Sequence, residues 1–314
     1  MTGMRTIRHA GLLPSIGMLI AAFLINAWLQ PDLLTHESLS INIATFAPTV
    51  LVSAAQAVIV LTGELDLSVG TGVSMLNCAL AAFPGLVGWG VWPSVAATLA
   101  IALVAGATNG ILVAFLRLPS LIVTFATSAI WFGVALIFQP QPGGSVPESF
   151  GDFYASSILG VPVALVLILV ALGAWSALQR LPMGRQLLAV GSNPLATFHA
   201  GIDVRWVKFR GYCIAWCLVY LSSLAISAQT LSGDSRLGLP YTLTSIAAVV
   251  IGGISLAGGR GSIWGAAFGA LSLGLVVNII YFAGIPSIYQ EFFKGVVILI
   301  ALSFTFVVGR RRTA

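Results

Sequence analysis

Long apolar runs separated by short polar gaps make up this chain. The runs fall at about 11–29, 41–61, 67–87, 91–115, 119–138, 158–178, 209–231, 242–257, 262–284 and 287–308. Most approach the ~20 residues a helix needs to cross ~30 Å of hydrocarbon. None alternates apolar and polar residues as a membrane strand does. Backbone polar groups in lipid must be paired within their own segment, so the runs predict about ten transmembrane helices. The third and eighth runs are the most interrupted and give the weakest signal.

The gaps carry the charge. With the N-terminus placed in the cytoplasm, the inner gaps hold Arg5, Arg8, Arg117, Arg180, Arg185, Arg205, Lys208, Arg210, Arg260 and Arg310 to Arg312. Arg236 falls outside and Lys294 lies within the last run. Cytoplasmic loops of membrane proteins are enriched in Lys and Arg. Removing any one run would scatter these residues over both sides. The expectation is an all-α integral membrane protein, a single transmembrane domain over 1–314, with both termini cytoplasmic. Most acidic residues, Asp32, Glu37, Glu148, Asp152 and Asp234, then lie outside.

Composition agrees. Hydrophobic residues make up 58% of the chain and charged residues 7%, where a soluble domain carries roughly 25% charged. Mean hydropathy is +1.03. The net charge of +5 does not point to nucleic acid, because the basic residues sit between runs and form no stripe with interleaved aromatics. Cys78, Cys213 and Cys217 all lie in apolar runs and read as small buried hydrophobes rather than as a disulfide or metal set. The first run is too long for a signal-peptide core and reads as a retained span.

The longest inner gap, 180–208, contains Gly191, Ser192, Asn193 and Pro194, a turn that opens a short helix with Ser192 or Asn193 as N-cap. Ala196 and His199 fall on that helix, and Gly201, before Ile202, ends it. Such a helix between two spans suits the docking of a soluble partner; an inert amphipathic connector reads equally well from spacing.

Two segments break the apolar pattern: LTGELDLSVG from Leu61, with Gly63, Asp66, Ser68 and Gly70, and VIGGISLAGGRG from Val250, with Gly252, Gly253, Gly258 and Gly259. Aligning Gly63 with Gly252 matches Leu67 with Leu256 and Gly70 with Gly259. Paired broken segments in two halves of a chain are a pointer to a transporter core. Glu64 and Asp66 fall near the inner ends of their spans, where a carboxylate costs less than at mid-bilayer. They read as ion-coupling groups or, preferably, as caps for the next helix start. Glu291 and Lys294, three apart, read as a paired couple. Polar residues inside the runs, Gln56, Asn77, Asn109, Thr124, Gln229 and Asn278, are candidates for a weakly polar pathway or for helix–helix hydrogen bonds.

Enzyme motifs are missing. Neither lysine follows a glycine, so no GK[ST] phosphate loop exists. His9, His36 and His199 form no local ligand pattern, and no GxSxG nucleophile turn occurs.

Gly63 to Gly70 resembles the GxIDLSVG segment of the sugar-type permeases of bacterial ATP-binding-cassette importers. Further stretches follow in family order: GATNGILV from Gly106, LPSLIVTFAT from Leu118, AVGSNPLATFHAGIDV from Ala189 and SIAAVVIGGISLAGGRGSIWGAAFGAL from Ser245. The resemblance spans about 40–305. It implies a multi-pass permease of the bacterial inner membrane, embedded in lipid, that pairs with a second permease subunit, either its own copy or a paralogue. It also implies a cytoplasmic two-cassette ATPase, which holds ATP and Mg while this chain holds no cofactor, and a periplasmic sugar-binding protein. The loop at Gly191 to Val204 is similar to the coupling helix that receives the ATPase stroke. Phe198 and His199 stand where smaller or polar residues are more usual, and Leu65 stands for isoleucine. Three rivals stay open: an ion-coupled secondary transporter using Asp66, a membrane enzyme, and a permease of this type for a nucleoside.

Overall fold

The computed structural model describes residues 12–286, 288–289, 292–296 and 299–300. Helix α1 (Leu12–Leu29) leads through a 3-10 turn into α2 (His36–Leu61); α3 (Val69–Val87) and α4 (Val91–Gly110) follow, α4 ending in a π-turn over Ile111–Phe115. Next come α5 (Ser120–Phe138), the short α6 (Glu148–Ala155), and a two-residue antiparallel hairpin, Ser157–Ile158 with Val161–Pro162. Then follow α7 (Val163–Leu178), α8 (Pro182–Ser192), α9 (Pro194–His199), α10 (Val204–Thr230), α11 (Leu239–Ile251) and α12 (Ile263–Phe282).

Among the described residues, six helices are long and apolar enough to cross a membrane: α2, α3, α4 with its π-turn, α5, α10 and α12. The bent pair α7–α8, which turns by 80°, makes a seventh if it is taken as one span. α1 and α11 are apolar but shorter. The expected span at 287–308 lies largely outside the described residues, as do both termini and Glu291. The expected span at 242–257 is cut short: α11 stops at Ile251 after 13 residues.

The cut has a local cause. At the end of α2, Gly63 takes φ +84°, its N–H reaches Val60 O, and Glu64 N–H reaches Ile59 O. At the end of α11, Gly253 takes φ +73°, its N–H reaches Val250 O, and Ile254 N–H reaches Val249 O. Both are the paired closure that a left-handed residue permits at a helix C-terminus, where glycine pays no Cβ penalty. The geometric equivalent of Gly63 is therefore Gly253, one residue beyond the Gly252 of the sequence alignment.

Helix α10, packed chiefly on α2 and α4, is the central post of the bundle. Lipid offers helices no hydrophobic incentive to associate, so close packing over small residues has to do it. The fully buried Trp216 of α10 lies on Gly72 of α3 and Gly106 of α4. A Cβ on either glycine would come within 2.7 Å of the tryptophan side chain. The small residues of α12 serve the same end inside the subunit: a Cβ on Gly269 would meet the Ala248 carbonyl carbon at 3.0 Å.

Pro48, in the middle of α2, has no N–H for the carbonyl four residues back. That carbonyl, Ala44 O, instead accepts the Tyr154 hydroxyl at 2.8 Å and Gln229 Nε2 at 3.0 Å.

Candidate functional site

Three connectors meet at one end of the bundle. Gly191, the next-to-last residue of α8, is packed so closely that a Cβ there would lie 2.7 Å from Gly259 N, and the Gly259 N–H donates to Leu61 O at 3.1 Å. A Cβ on Gly258 would lie 2.7 Å from Gly63 Cα and 2.8 Å from Gly191 O. Ser192 Oγ bonds Leu188 O at 2.9 Å and Gly259 O at 3.3 Å. Both broken segments and the turn between α8 and α9 thus share one backbone-to-backbone junction. Gly252 is not part of it: it packs on α12, where an added Cβ would lie 2.6 Å from Ala266 N.

From that junction α9 projects outward. Asn193 Oδ1 accepts the Ala196 N–H at 3.0 Å, an N-cap, with Pro194 at the first helical position. Gly201, at φ +80°, closes the helix, and Ile202 N–H reaches back to Thr197 O. Leu195 and Phe198 are 73% and 64% exposed, a large apolar display on a six-residue helix, and His199 is exposed beside them. Leu195 and Phe198 border a groove of about 620 Å³ whose walls include Arg117, Arg205, Lys208, Glu64 and Asp203. Lys208 and Glu64 form a partly buried ion pair across it. At the start of α10, Asp203 accepts both the Arg205 N–H at 3.0 Å and its guanidinium, and that guanidinium holds the Asp203 carboxyl below its ordinary pKa.

Asp66 lies deeper and is fully buried. Oδ1 accepts Ser68 N–H at 2.7 Å and the Ser68 hydroxyl. Oδ2 accepts Trp216 Nε1 at 3.2 Å and Asn109 Nδ2 at 3.5 Å. Asn109 also bonds Ser68 Oγ at 2.9 Å. The carboxylate closes a turn before α3 and ties α3, α4 and α10 together; Ser68, at the helix boundary, makes no capping bond of its own. Gly70 sits against Gly238 and Thr242, and a Cβ there would lie 2.9 Å from Thr242 N.

The pathway candidates do not form one group. Asn77 is occupied by Ser227 Oγ at 2.8 Å, Ser232 O at 3.0 Å and the Asp234 N–H at 2.9 Å. Thr124 accepts Leu67 N–H at 3.0 Å and donates to Ser120 O at 2.8 Å. Asn109 belongs to the carboxylate cluster, and Gln229 to the freed carbonyl at Ala44. Asn278, in contrast, donates to Asn42 Oδ1 at 2.7 Å and lines two cavities of about 260 and 230 Å³, which also share Thr45. Gln56 is completely buried, and neither its Nε2 nor its Oε1 has a hydrogen-bond partner.

The chain matches the family described as the permease component of branched-chain amino acid transport systems over residues 38–302. It is 32% identical to the ribose import permease RbsC of Escherichia coli (strain K12), covering 92% of this chain and 91% of that protein. Its identity to the ribose import permease RbsC of Bacillus subtilis (strain 168) is 33%, covering 92% and 90%. To the autoinducer 2 import system permease LsrC of Enterobacter sp. (strain 638) it is 32%, covering 90% and 82%. The chain belongs to this permease family. No solved structure matches it significantly.

Several contacts that organise this permease escaped the sequence reading. Trp216 carries no local signal in its apolar run; only the fold shows that the glycines at 72 and 106 leave room for its indole. The ion pair of Glu64 with Lys208 joins residues 144 apart, beyond any helical periodicity. The gap between the runs at 209–231 and 242–257 was expected, but not its contact: it brings Gly238 beside Gly70 and Ser74, with Gly238 N–H donating to Ser74 Oγ at 2.8 Å.

Proposed function

We propose that this permease is the membrane-spanning subunit of an ATP-binding-cassette importer that carries a monosaccharide-like solute into the cytoplasm. The observation that carries the reading is its likeness to ribose import permeases along nine-tenths of its length. The geometry of α9 supports its reading as the coupling element. α9 offers exposed apolar side chains beside a charged groove, which is what a cytoplasmic ATPase needs to grip. Its base is wedged against both glycine breaks.

In this reading the end bearing Arg117, Arg205, Lys208 and Arg260 faces the cytoplasm, ten spans cross the bilayer, and both termini lie inside. Two such subunits, identical or paralogous, stand over a two-cassette ATPase that holds ATP and Mg, and a periplasmic binding protein delivers the solute. ATP-driven closure pushes α9. Residues Gly191 to Ile202 move as a unit, and Gly63, Gly258 and Gly259 pass the displacement to α2, α3, α11 and α12. The solute moves by alternating access.

Asp66 supports this reading over ion coupling. Each of its oxygens already accepts bonds from structural donors, and it lines none of the cavities described above.

The test is uptake of radiolabelled ribose by proteoliposomes holding the permease, the ATPase from its own locus and the matching binding protein. Uptake that needs ATP, and that stops when the ATPase phosphate-loop lysine is replaced, is expected. Replacing Gly191–Pro194 by a flexible linker leaves ATP hydrolysis and drops uptake at least tenfold. Uptake that continues without the ATPase overturns the assignment.

A further inference from the structure

The apolar run at 158–178 does not fold as one helix. Its helical part, α7, has 16 residues and a length of about 24 Å, about 6 Å short of the ~30 Å of hydrocarbon. The first residues of the run form a hairpin tip instead. Ile158 pairs with Val161 across a two-residue loop. Both loop residues are left-handed, Leu159 at φ +53° and Gly160 at φ +78°, as a type I′ hairpin turn requires. Asparagine, aspartate and glycine are the usual occupants of such positions, and leucine gains nothing from that conformation. Yet Leu159 is 99% exposed, and Ile158 and Val161 beside it are exposed too. A strained backbone that holds an apolar side chain clear of the protein points to an apolar partner outside it.

Two contacts fix the height of the hairpin. At its base Val163 N–H donates to Ser156 O at 3.0 Å, close to Tyr154, whose hydroxyl donates to Ala44 O. At its tip His36 Nε2 donates to Gly160 O at 3.2 Å. His36 is the first residue of α2, and Ala44 lies about 12 Å further along that helix. The hairpin therefore stands beside the first two turns of α2. With 26 residues, α2 is about 39 Å long, which matches a bilayer with its headgroup layers rather than the hydrocarbon alone. Its first residue, and the hairpin tip with it, falls in a headgroup layer. That level accepts the unladdered edges of a two-stranded hairpin, which hydrocarbon would not.

The chemistry favours lipid over protein as the partner. Between Asp152 and Arg180 the chain carries no charge, whereas a surface that receives a soluble protein has a polar rim. Further along the same run, Leu169 and Val170 of α7 are exposed, so the tip continues the exposed apolar face of a membrane helix. We infer that the hairpin over 157–162 is an interfacial anchor: Leu159, with Ile158 and Val161, enters the lipid layer at the end away from α9 and makes up the length that α7 lacks. The inference rests on the chain being embedded in a membrane and not on the importer reading.

Fluorescence quenching tests it. The native Cys78, Cys213 and Cys217 are replaced by alanine. Single cysteines carrying an NBD probe are then placed in the full-length permease, with its ATPase, in vesicles of phosphatidylethanolamine and phosphatidylglycerol without any binding protein. Phosphatidylcholine bearing an acyl-chain nitroxide quenches NBD on Leu159→Cys to within twofold of NBD on Val170→Cys, the apolar reference. Iodide on both sides of the vesicle quenches it at least threefold less than NBD on Gln141→Cys, an exposed position in the neighbouring loop. Because Leu159→Cys alters the strained turn, Ile158→Cys, on the strand, carries the same two expectations. Iodide quenching equal to that at Gln141, with no effect of the lipid nitroxide, overturns the inference. So does protection from iodide that appears only after a periplasmic binding protein is added, or only at high protein-to-lipid ratio, since the tip is then a protein-docking surface. The two readings fail separately. A solvated tip leaves ATP-driven uptake standing, and ATP-independent uptake leaves the anchor standing.

Discussion

At the scale of single residues, the buried carboxylate shows how far chemistry can be read from residue type. Asp66 looks like a titrating group until its four donor contacts are counted. In Asp66→Asn, an NH₂ must face either Ser68 N–H or Trp216 Nε1–H, and one unmatched buried donor costs ~1–3 kcal/mol. Detergent-purified Asp66→Asn is therefore expected to melt earlier, while the folded fraction still carries ATP-dependent uptake; complete loss of coupling at unchanged Tm would revive the ion-coupled rival. The indole beneath it can be tested in the same way. Gly106→Ala would place its methyl 2.7 Å from Trp216 Cβ, an atom held by the α10 backbone. A loss of ~1–3 kcal/mol is the usual outcome of such overpacking, and thermal unfolding followed by tryptophan fluorescence reads it. The glycine and the tryptophan were both visible in the sequence. Their pairing was not, because it joins residues 110 positions apart on separate helices, and no periodicity reports such a contact.

At the scale of elements, the short helix α9 was legible because its signals are local: Asn193 before Pro194, and Gly201 past the end. The end of α2 was legible for the same reason; the broken segment from Val250 was also visible, but the expected span ran on to 257, past the end of α11 at Ile251, and the sequence alignment set the second glycine one residue early. The register comes from the carbonyls each N–H can reach, not from letter matching. The connector over 231–238 was legible too, as the polar gap SGDSRLG between two apolar runs, but the packing of Gly238 on Gly70 was not, because it joins distant segments. The groove beside α9 gives a prediction for the ion pair across it. Because each partner is partly buried, Lys208→Ala strands Glu64. The double variant Lys208→Ala/Glu64→Gln should recover ~0.5–3 kcal/mol of coupling energy, measured by a double-mutant cycle on chemical unfolding; additive losses would mean that the pair is ornamental. At the start of α10 the sign of the pH effect follows from Asp203. Its folded pKa is lowered, so its contribution is complete above the unfolded value of ~3.9 and is lost only as pH falls through the lower folded one. Amide protection in the first turn of α10 should therefore be unchanged between neutrality and pH ~5.

At the scale of the whole molecule, the alternation of basic and acidic gaps anticipated which connectors would be neighbours. The inner gaps at 116–119, 180–208 and 252–262 hold Arg117, Arg180, Arg185, Arg205, Lys208 and Arg260, and the structure gathers them, with the acidic gap at 62–68, at one end through the Gly63, Gly191 and Gly258 junction and the groove at Arg117. The gaps near 30–37, 139–162 and 231–235 meet at the other end, where Gly143 and Gly233 exchange backbone hydrogen bonds and His36 contacts Gly160 O at 3.2 Å. Sorting loops by charge therefore also sorted them in space, because one bilayer imposes both. A tag inserted in 180–185 should be reachable only from the cytoplasmic side of sealed vesicles, and a tag in 140–145 only from the other. The number of crossings was harder to read, since α11 and the α7–α8 bend depart from straight, full-length helices.

The junction of Gly63, Gly191 and Gly258 has a consequence for biogenesis. Its three strands of backbone are far apart in the chain; Ser192 and Gly259 alone are separated by 67 residues. Contacts of such long range form late, after the intervening loops have closed. During synthesis the ribosome must release the last third of the polypeptide before α9 acquires a rigid base. A nascent or truncated chain therefore presents α9 with nothing solid behind it, and the junction closes only when Gly258 and Gly259 have arrived.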